Sequence, residues 1–220
     1  MLALGCSQRH AALHGFEGSI TMLTTEAGKA SEFRVTTRGD MLRIDMPMPS
    51  TTPAVPEVTL GHAVYDHDTN KVLLFFDTTR EYREMDLSRR IAPGDADARA
   101  VPVLEQTGIR KVVAGVPCEE WSVVGVDGAR TEACLAAGVA YLEMFHVELG
   151  PHGTESPLAR EYREHKKFPL ELVGRDAQGH ERWRTEVTKV TPGSVDDAVF
   201  ALPDAYRKVE LHLGGAPSHS

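Results

Sequence analysis

From Gly15 onward the chain alternates apolar and polar residues with a period of two, and this pattern decides most of what it can become. In Glu17–Thr24 the residues Ile20 and Met22 share one face while Ser19 and Thr21 take the other. Phe33 and Val35 repeat the pattern, and Arg38-Gly39-Asp40 turns the chain into a segment that points Leu42, Ile44 and Met46 inward. A period of two with one apolar face is the mark of half-buried antiparallel strands. Pro47, Pro49, Pro53 and Pro56 are then expected to break the strand into a loop, because proline cannot donate to a ladder. A second meander follows through Ala63–Tyr65, Lys71–Phe76 and Arg80–Leu87, with Asp, Asn and Thr residues at its turns. Arg80, Tyr82 and Glu84 read as an exposed ladder on one strand face. Ser88–Pro102 is polar and reads as a loop or short helix.

A third hairpin is expected over Arg110–Ala136 with Asp127-Gly128 at its tip. The period changes at Gly138–Leu149, where Val139, Leu142, Met144, Phe145 and Leu149 fit one helical face. Leu158–Lys167 is a second, more charged helix candidate. A last hairpin runs through Pro169–Val173, a turn at Ala177–His180, and Arg182–Val190. Ser194, followed by acids, reads as the N-cap of a short helix ending at Phe200. Three stretches are expected in all: 1–14 as a signal remnant and linker, 15–211 as a single domain, and 212–220 as a disordered tail.

Composition removes several function classes. A net charge of −8 without any dense block of Lys and Arg argues against nucleic acid and against attraction to an anionic leaflet. No apolar run approaches the roughly 18 residues of a spanning helix. Aromatic residues are only 6% of the chain, so the core must lean on Val, Leu, Ala and Met.

The start, Ala3-Leu4-Gly5-Cys6, is similar to the end of a bacterial lipoprotein signal, in which small residues precede a Cys that becomes lipid-modified. The apolar run before it has only four residues, against the roughly 7–15 a signal needs. Either the true start lies upstream, or the likeness is accidental and Cys6 is a stray thiol on a frayed N-terminus. On the first reading Cys6 is the candidate lipidation residue. Cys118 and Cys134 fall on facing strands of the Asp127-Gly128 hairpin. A five-residue loop from Val124 to Gly128 would place them opposite each other. A bridge there closes about 16 residues, contributes roughly 3 kcal/mol, and requires an oxidising compartment. Two buried thiols in a cytosolic protein are the alternative.

Catalytic and metal signatures are sparse. The densest of the ten histidines are His62 and His67, beside Asp66 and Asp68. His62 and Asp66 are four apart on a strand and so about 13 Å apart, which favours a solvated turn over a chelate. Glu119 and Glu120 point to opposite strand faces, and no nucleophile elbow, zinc-protease motif or phosphate loop is present. No catalytic residue, cofactor or metal is expected.

The order of parts nevertheless resembles a known family. A hairpin carries Gly115-Val116-Pro117-Cys118-Glu119-Glu120-Trp121 and Thr131-Glu132-Ala133-Cys134-Leu135-Ala136. The end reads Glu186-Val187-Thr188-Lys189-Val190 and Phe200-Ala201-Leu202-Pro203-Asp204-Ala205-Tyr206. Together these resemble a family of bacterial envelope proteins, a domain of unknown function, related in fold to the LolA/LolB lipoprotein-localisation factors. The resemblance implies a mainly β (α+β) fold, a curved antiparallel sheet of about ten strands forming an incomplete barrel with short helices over its open side. It also implies a concave apolar face able to hold acyl chains. Phe33, Leu42, Ile44, Leu74, Phe76, Met144 and Phe145 are the candidate lining, with Gly138–Leu149 as lid; the same residues would equally pack a closed core. The expected protein is a non-enzymatic, monomeric envelope protein held at the periplasmic side or outer membrane by a lipid anchor. It would bind a hydrophobic ligand such as an acyl chain or carry lipoprotein or lipid, and its expected partners are a lipid or acyl chain and an envelope protein. The alternatives are an envelope interaction or stress-sensor module with a packed core, and a hydrolase with a dispersed site.

Overall fold

The computed structural model describes residues 13, 15–48, 59–87, 103–139, 141 and 157–209. Alternation becomes strand almost wherever it occurs. The strands are β1 (Gly18–Glu26), β2 (Lys29–Arg38), β3 (Met41–Met48), β4 (Thr59–Asp66), β5 (Lys71–Phe76) and β6 (Glu81–Asp86). After them come β7 (Val103–Val113), β8 (Val116–Val124), β9 (Arg130–Ala137), β10 (Lys167–Arg175), β11 (Glu181–Pro192) and the short β12 (Arg207–Lys208). Among the described residues there is one α-helix, α1 (Pro157–Glu164). All twelve strands form one sheet in the order β12-β6-β5-β4-β3-β2-β1-β11-β10-β9-β8-β7. Two meanders, β1–β6 and β7–β11, are therefore joined in the middle by the antiparallel pair β1–β11.

Local chemistry sets these hairpins. Ala27-Gly28 and Ala114-Gly115 each supply two consecutive residues of positive φ between directly paired strand ends. That is the backbone of a type I′ turn, whose twist matches the strands it joins, and glycine takes the second position without a Cβ penalty.

The two faces of the sheet bury different things. The inner face gathers Ile20, Met22, Phe33, Val35, Leu42, Ile44, Tyr65, Val72, Phe168, Leu170 and Val187 into one cluster. Helix α1 lays Leu158 and Tyr162, one turn apart, onto this cluster, with Pro157 opening the helix where its missing N–H costs nothing. Tyr141 packs edge-on against Tyr162 and Phe168, with ring centroids at 5.6 and 5.0 Å. The outer face carries a second, smaller cluster of Val64, Phe75 and Phe200, joined by Met41, Leu73, Tyr82, Val199 and Tyr206. Strand alternation explains the split: along β5, Val72, Leu74 and Phe76 point in, and Leu73 and Phe75 point out. The segment after β11 straps across the outer face and ends as β12, parallel to β6.

Several expectations shift. Among the described residues the sheet has twelve strands rather than about ten. Pro47 sits inside β3, paired with Leu60, instead of ending it. This is tolerated because pairing with β2 stops at Arg34–Asp45, so among the described residues β3 is bonded on one side only at that point. Ser194 caps no helix. Asp196 accepts the backbone N–H of Ala198 at 2.9 Å and starts a single 3-10 turn, Asp197–Val199. Tyr82 is no exposed rung but packs on Phe75, with ring centroids at 6.1 Å. The hairpin expected from Arg110 begins earlier, with β7 at Val103. The stretches 1–12, Ser88–Pro102 and 210–220, and most of the expected Gly138–Leu149 helix, lie outside the described residues.

Candidate functional site

The candidate lining residues do come together. Phe33, Leu42, Ile44 and Phe76 are between 0% and 6% exposed, and Leu74 packs against them half-buried. Met144 and Phe145 lie outside the described residues, as does Cys6. Side chains lining an empty cavity keep accessible surface, so values this low describe a filled inner face at these positions. An open groove of about 390 Å³ does exist nearby, where β2 parts from β3, but Glu32, Arg34 and Asp45 line it beside Phe33. It is a polar notch rather than an acyl-chain pocket.

Cys118 and Cys134 are bridged, with Cα atoms 5.4 Å apart. Their register differs from the expected one. The connecting loop spans Gly125–Ala129, not Val124–Gly128, so Glu120 stands opposite Cys134 and the bridge runs diagonally across β8 and β9. Both half-cystines are at most 4% exposed. A lattice of charges spreads from β7 to β11. Lys111 binds Glu120 and reaches Glu171 at 3.3 Å, Arg184 binds Glu171 and Glu181, and Arg175 binds Glu132 at 3.2 Å. Hydrogen bonding to Glu120 is the main cause holding the Lys111 ammonium above its ordinary pKa. In sheet order β8 and β9 lie between β7 and β10, roughly 14 Å of flat sheet, so the Lys111–Glu171 contact reports strong curling at this end.

Histidines expected as one turn cluster separate into two groups. His62 is 5% exposed and stacks on Phe75 at 4.3 Å, on the outer face. Its Nδ1–H donates to Asp77, 3.1 Å from the nearer oxygen, and the Tyr206 hydroxyl donates to the same carboxylate at 2.6 Å. This network explains part of the closing Phe-x-x-Pro-x-x-Tyr pattern: Phe200 fills the outer cluster while Tyr206 ties the strap to β5 and its turn. Burial, reinforced by Arg43, lowers the His62 pKa, with Asp77 opposing. Burial and the Asp77 bond push Tyr206 up to about 12.

The sign of the His62 shift gives a testable pH dependence. The unfolded imidazole binds a proton near the ordinary 6.5, whereas the folded one resists until lower pH. Between those values the unfolded state holds more protons, so stability contributed by neutral His62 is full above 6.5 and falls as pH drops. Denaturant midpoints measured from pH 8 to 5 should therefore decline below 6.5, and His62→Gln should flatten that part of the curve. An unchanged profile in the variant would assign the decline to other groups.

His67 belongs to a different knot. With Asp40 and Asp68 it brings three potential ligand atoms within 4.8 Å of one another. Nothing in the sequence singles out Asp40; adjacency of β3 and β4 brings its turn to His67, whose backbone N–H donates to the Asp40 carbonyl at 2.9 Å. A cation is already supplied. Lys166 binds Asp40 and is the main cause of its lowered pKa, while His67 Nε2–H donates to the Arg163 carbonyl at 2.7 Å. The knot thereby fastens the C-terminal end of α1 to two hairpin turns.

These features lie within a span that also matches a family model, described as Domain of unknown function (DUF4412), over residues 16–206. The chain belongs to the DUF4412 family. No curated protein matches the chain. Among solved structures, an uncharacterized conserved protein from Thermus thermophilus aligns with 88% of this chain and 90% of its own, at 11% identity and a TM-score of 0.48. A chain of the Pseudomonas aeruginosa MucA/MucB complex aligns with 87% of this chain at 13% identity and a TM-score of 0.45, over 57% of its own length. A putative outer membrane lipoprotein-sorting protein domain from Vibrio parahaemolyticus aligns with 83% of this chain and 87% of its own, at 6% identity and a TM-score of 0.34. None of these likenesses is strong enough to carry an activity or a ligand over to the DUF4412 chain.

Proposed function

We propose that this DUF4412 protein is a non-enzymatic interaction module of the bacterial envelope, with a packed core and its recognition on strand edges and loops. The observation that carries this reading is the filled inner face: Phe33, Leu42, Ile44 and Phe76 make one cluster with Leu158 and Tyr162 of α1, at 6% exposure or less. The Cys118–Cys134 bridge supports an oxidising compartment, and the lipoprotein-like Cys6 is consistent with anchoring there. The polar clusters support a non-catalytic role, since each holds a structural element: His62–Asp77–Tyr206 the strap, and Asp40–Lys166 with His67 the helix.

An apolar-ligand carrier is the second reading, favoured by one observation. Among the described residues of α1 only Leu158 and Tyr162 are buried, and the polar knot holds one end of the helix. Pivoting about that knot would uncover the inner face to an acyl chain. Ile44→Ala separates the two. In a packed core the change should cost about 2–5 kcal/mol, read from urea unfolding, and a fluorescent fatty-acid probe should not bind the parent protein. A cost below about 1 kcal/mol together with saturable probe binding would replace the interaction module with the carrier.

A further inference from the structure

The two edges of the sheet are treated differently. At one end the two-residue β12 pairs with Glu81 and Tyr82 of β6, and Arg207–Glu81 and Lys208–Glu84 ion pairs cover the start of that edge from within the chain. At the other end β7 has β8 on one side and, among the described residues, no strand on the other. Eleven residues long, it keeps all but Leu104 and Val113 exposed, although it touches β11 and α1. Val103, Ile109 and Val112 are 57%, 50% and 54% exposed, an unusual concentration of bare apolar side chains on one element. A long uncovered edge with apolar side chains is a template for another strand.

The strand's own sequence says which one. Register with β8 pairs Leu104 with Val123 and Gln106 with Trp121, and then, past an irregularity at 107–109, Arg110 with Glu119 and Val112 with Pro117. Leu104, Gln106, Arg110 and Val112 therefore share one face, and Val103, Glu105, Lys111 and Val113 the other. In an antiparallel pair, directly opposed residues lie on the same face, which limits the registers two copies of β7 can adopt. Centred on Gly108, the apolar ends meet, Leu104 against Val112 and Val103 against Val113, and Glu105 meets Lys111, which also binds Glu120 and Glu171. Gln106 and Arg110, which face each other, both bind Glu119 of their own chain, and Thr107 faces Ile109 within the irregular stretch. Moving one copy by two residues places Glu105 against Ile109 or against Val113 and destroys the match. The irregular residues 107–109 fall at the two-fold axis, where they interrupt both strands equally.

We propose that β7 is a self-association edge, two copies pairing antiparallel about Gly108 to continue the sheet from one protomer into the next. A closed two-fold contact of this kind is isologous, so each favourable opposition occurs twice. It differs from the monomer expected from the sequence, and it holds whether or not the inner face takes a ligand.

Sedimentation equilibrium on the full chain tests it, with a species at twice 24.1 kDa as the expected result. Val112→Asp, a change at an exposed position, should leave the circular dichroism spectrum intact and raise the dimer dissociation constant at least about tenfold. Register is read separately, in a Cys6→Ser background, by mixing Leu104→Cys and Val112→Cys proteins under mild oxidation. The mixture should give a 104–112 cross-link located by mass spectrometry, and neither protein alone should link to itself. A chain that stays monomeric up to about 100 µM overturns the proposal, as does a dimer that ignores Val112→Asp and yields no such link.

Discussion

Replacing Gly174 with alanine should destabilise the protein by about 3 kcal/mol or more, although only a methyl group is added and the backbone there is ordinary strand. Gly174 lies directly opposite Trp183 in the β10–β11 ladder, and the indole lies across the space a side chain would fill. A Cβ built at 174 would stand 2.1 Å from Trp183 Nε1 and 2.2 Å from Cε2. Neither atom is the tip of a flexible chain; the whole ring system would have to leave its place against the core cluster. The loss is then the packing of a large but half-buried aromatic, toward the lower end of the about 3–5 kcal/mol that deleting a core aromatic costs. Trp183→Ala should cost a similar amount, and adding Gly174→Ala to it should cost little more, because the clash has already been removed. Urea midpoints of the two single variants and the double variant read this directly. Additive losses would show that the glycine is required for some reason other than the indole.

Loss of the disulfide is expected to be nearly as severe. Cys118 and Cys134 are separated by 16 residues, and on chain-entropy grounds a loop of that size contributes about 3 kcal/mol. Both sulfurs are buried, so Cys118→Ser with Cys134→Ser also leaves two hydroxyls in an apolar setting unless they bond each other. Cys→Ala at both sites isolates the cross-link from that penalty. The alanine pair should lose about 3 kcal/mol in denaturant unfolding, and dithiothreitol should lower the parent's midpoint to match it. If reduction left the midpoint where it was, the bridge would be dispensable for stability, and its support for an oxidising compartment would weaken with it.

Much of the fold was legible because half-buried strands write their burial into the sequence. Ile20 and Met22, Phe33 and Val35, and Leu42 and Ile44 alternate with polar residues and point to one core face. β7 is the exception: exposed on both faces, Glu105-Gln106-Thr107-Gly108 has no burial to record, and only the second half of the strand stands out in the sequence. Pro47 misleads for a related reason. Proline forbids a ladder bond on one side, and the sequence does not say which strands have a vacant side. The site is less legible than the fold. That Phe33, Leu42, Ile44 and Phe76 converge follows from alternation, but whether they enclose space is a matter of what covers them. The partnership of Asp40 with His67 and Lys166 depends on which hairpins become neighbours. Phe200 and Tyr206 stand out as a pattern, yet only the second cluster on the outer face gives that pattern a purpose.

The seam between β1 and β11 also bears on how the chain reaches its native state. Gly18 pairs with Pro192, so the central ladder joins residues from nearly opposite ends of the sequence. Contacts of that separation form late, since the entropy of closing the intervening chain is spent before they return anything. A polypeptide appearing N-terminus first presents β1 early, and β2 folds onto one side of it within a single hairpin. The other side stays bare until β11 has followed. Throughout that interval β1–β6 is a half-sheet with an open apolar face and an unsatisfied edge, the kind of species that aggregates unless it is chaperoned or kept extended. A product cut short before Glu181 is accordingly not a smaller domain but an arrested intermediate, and the last-made long strand acts as the timer for the whole assembly.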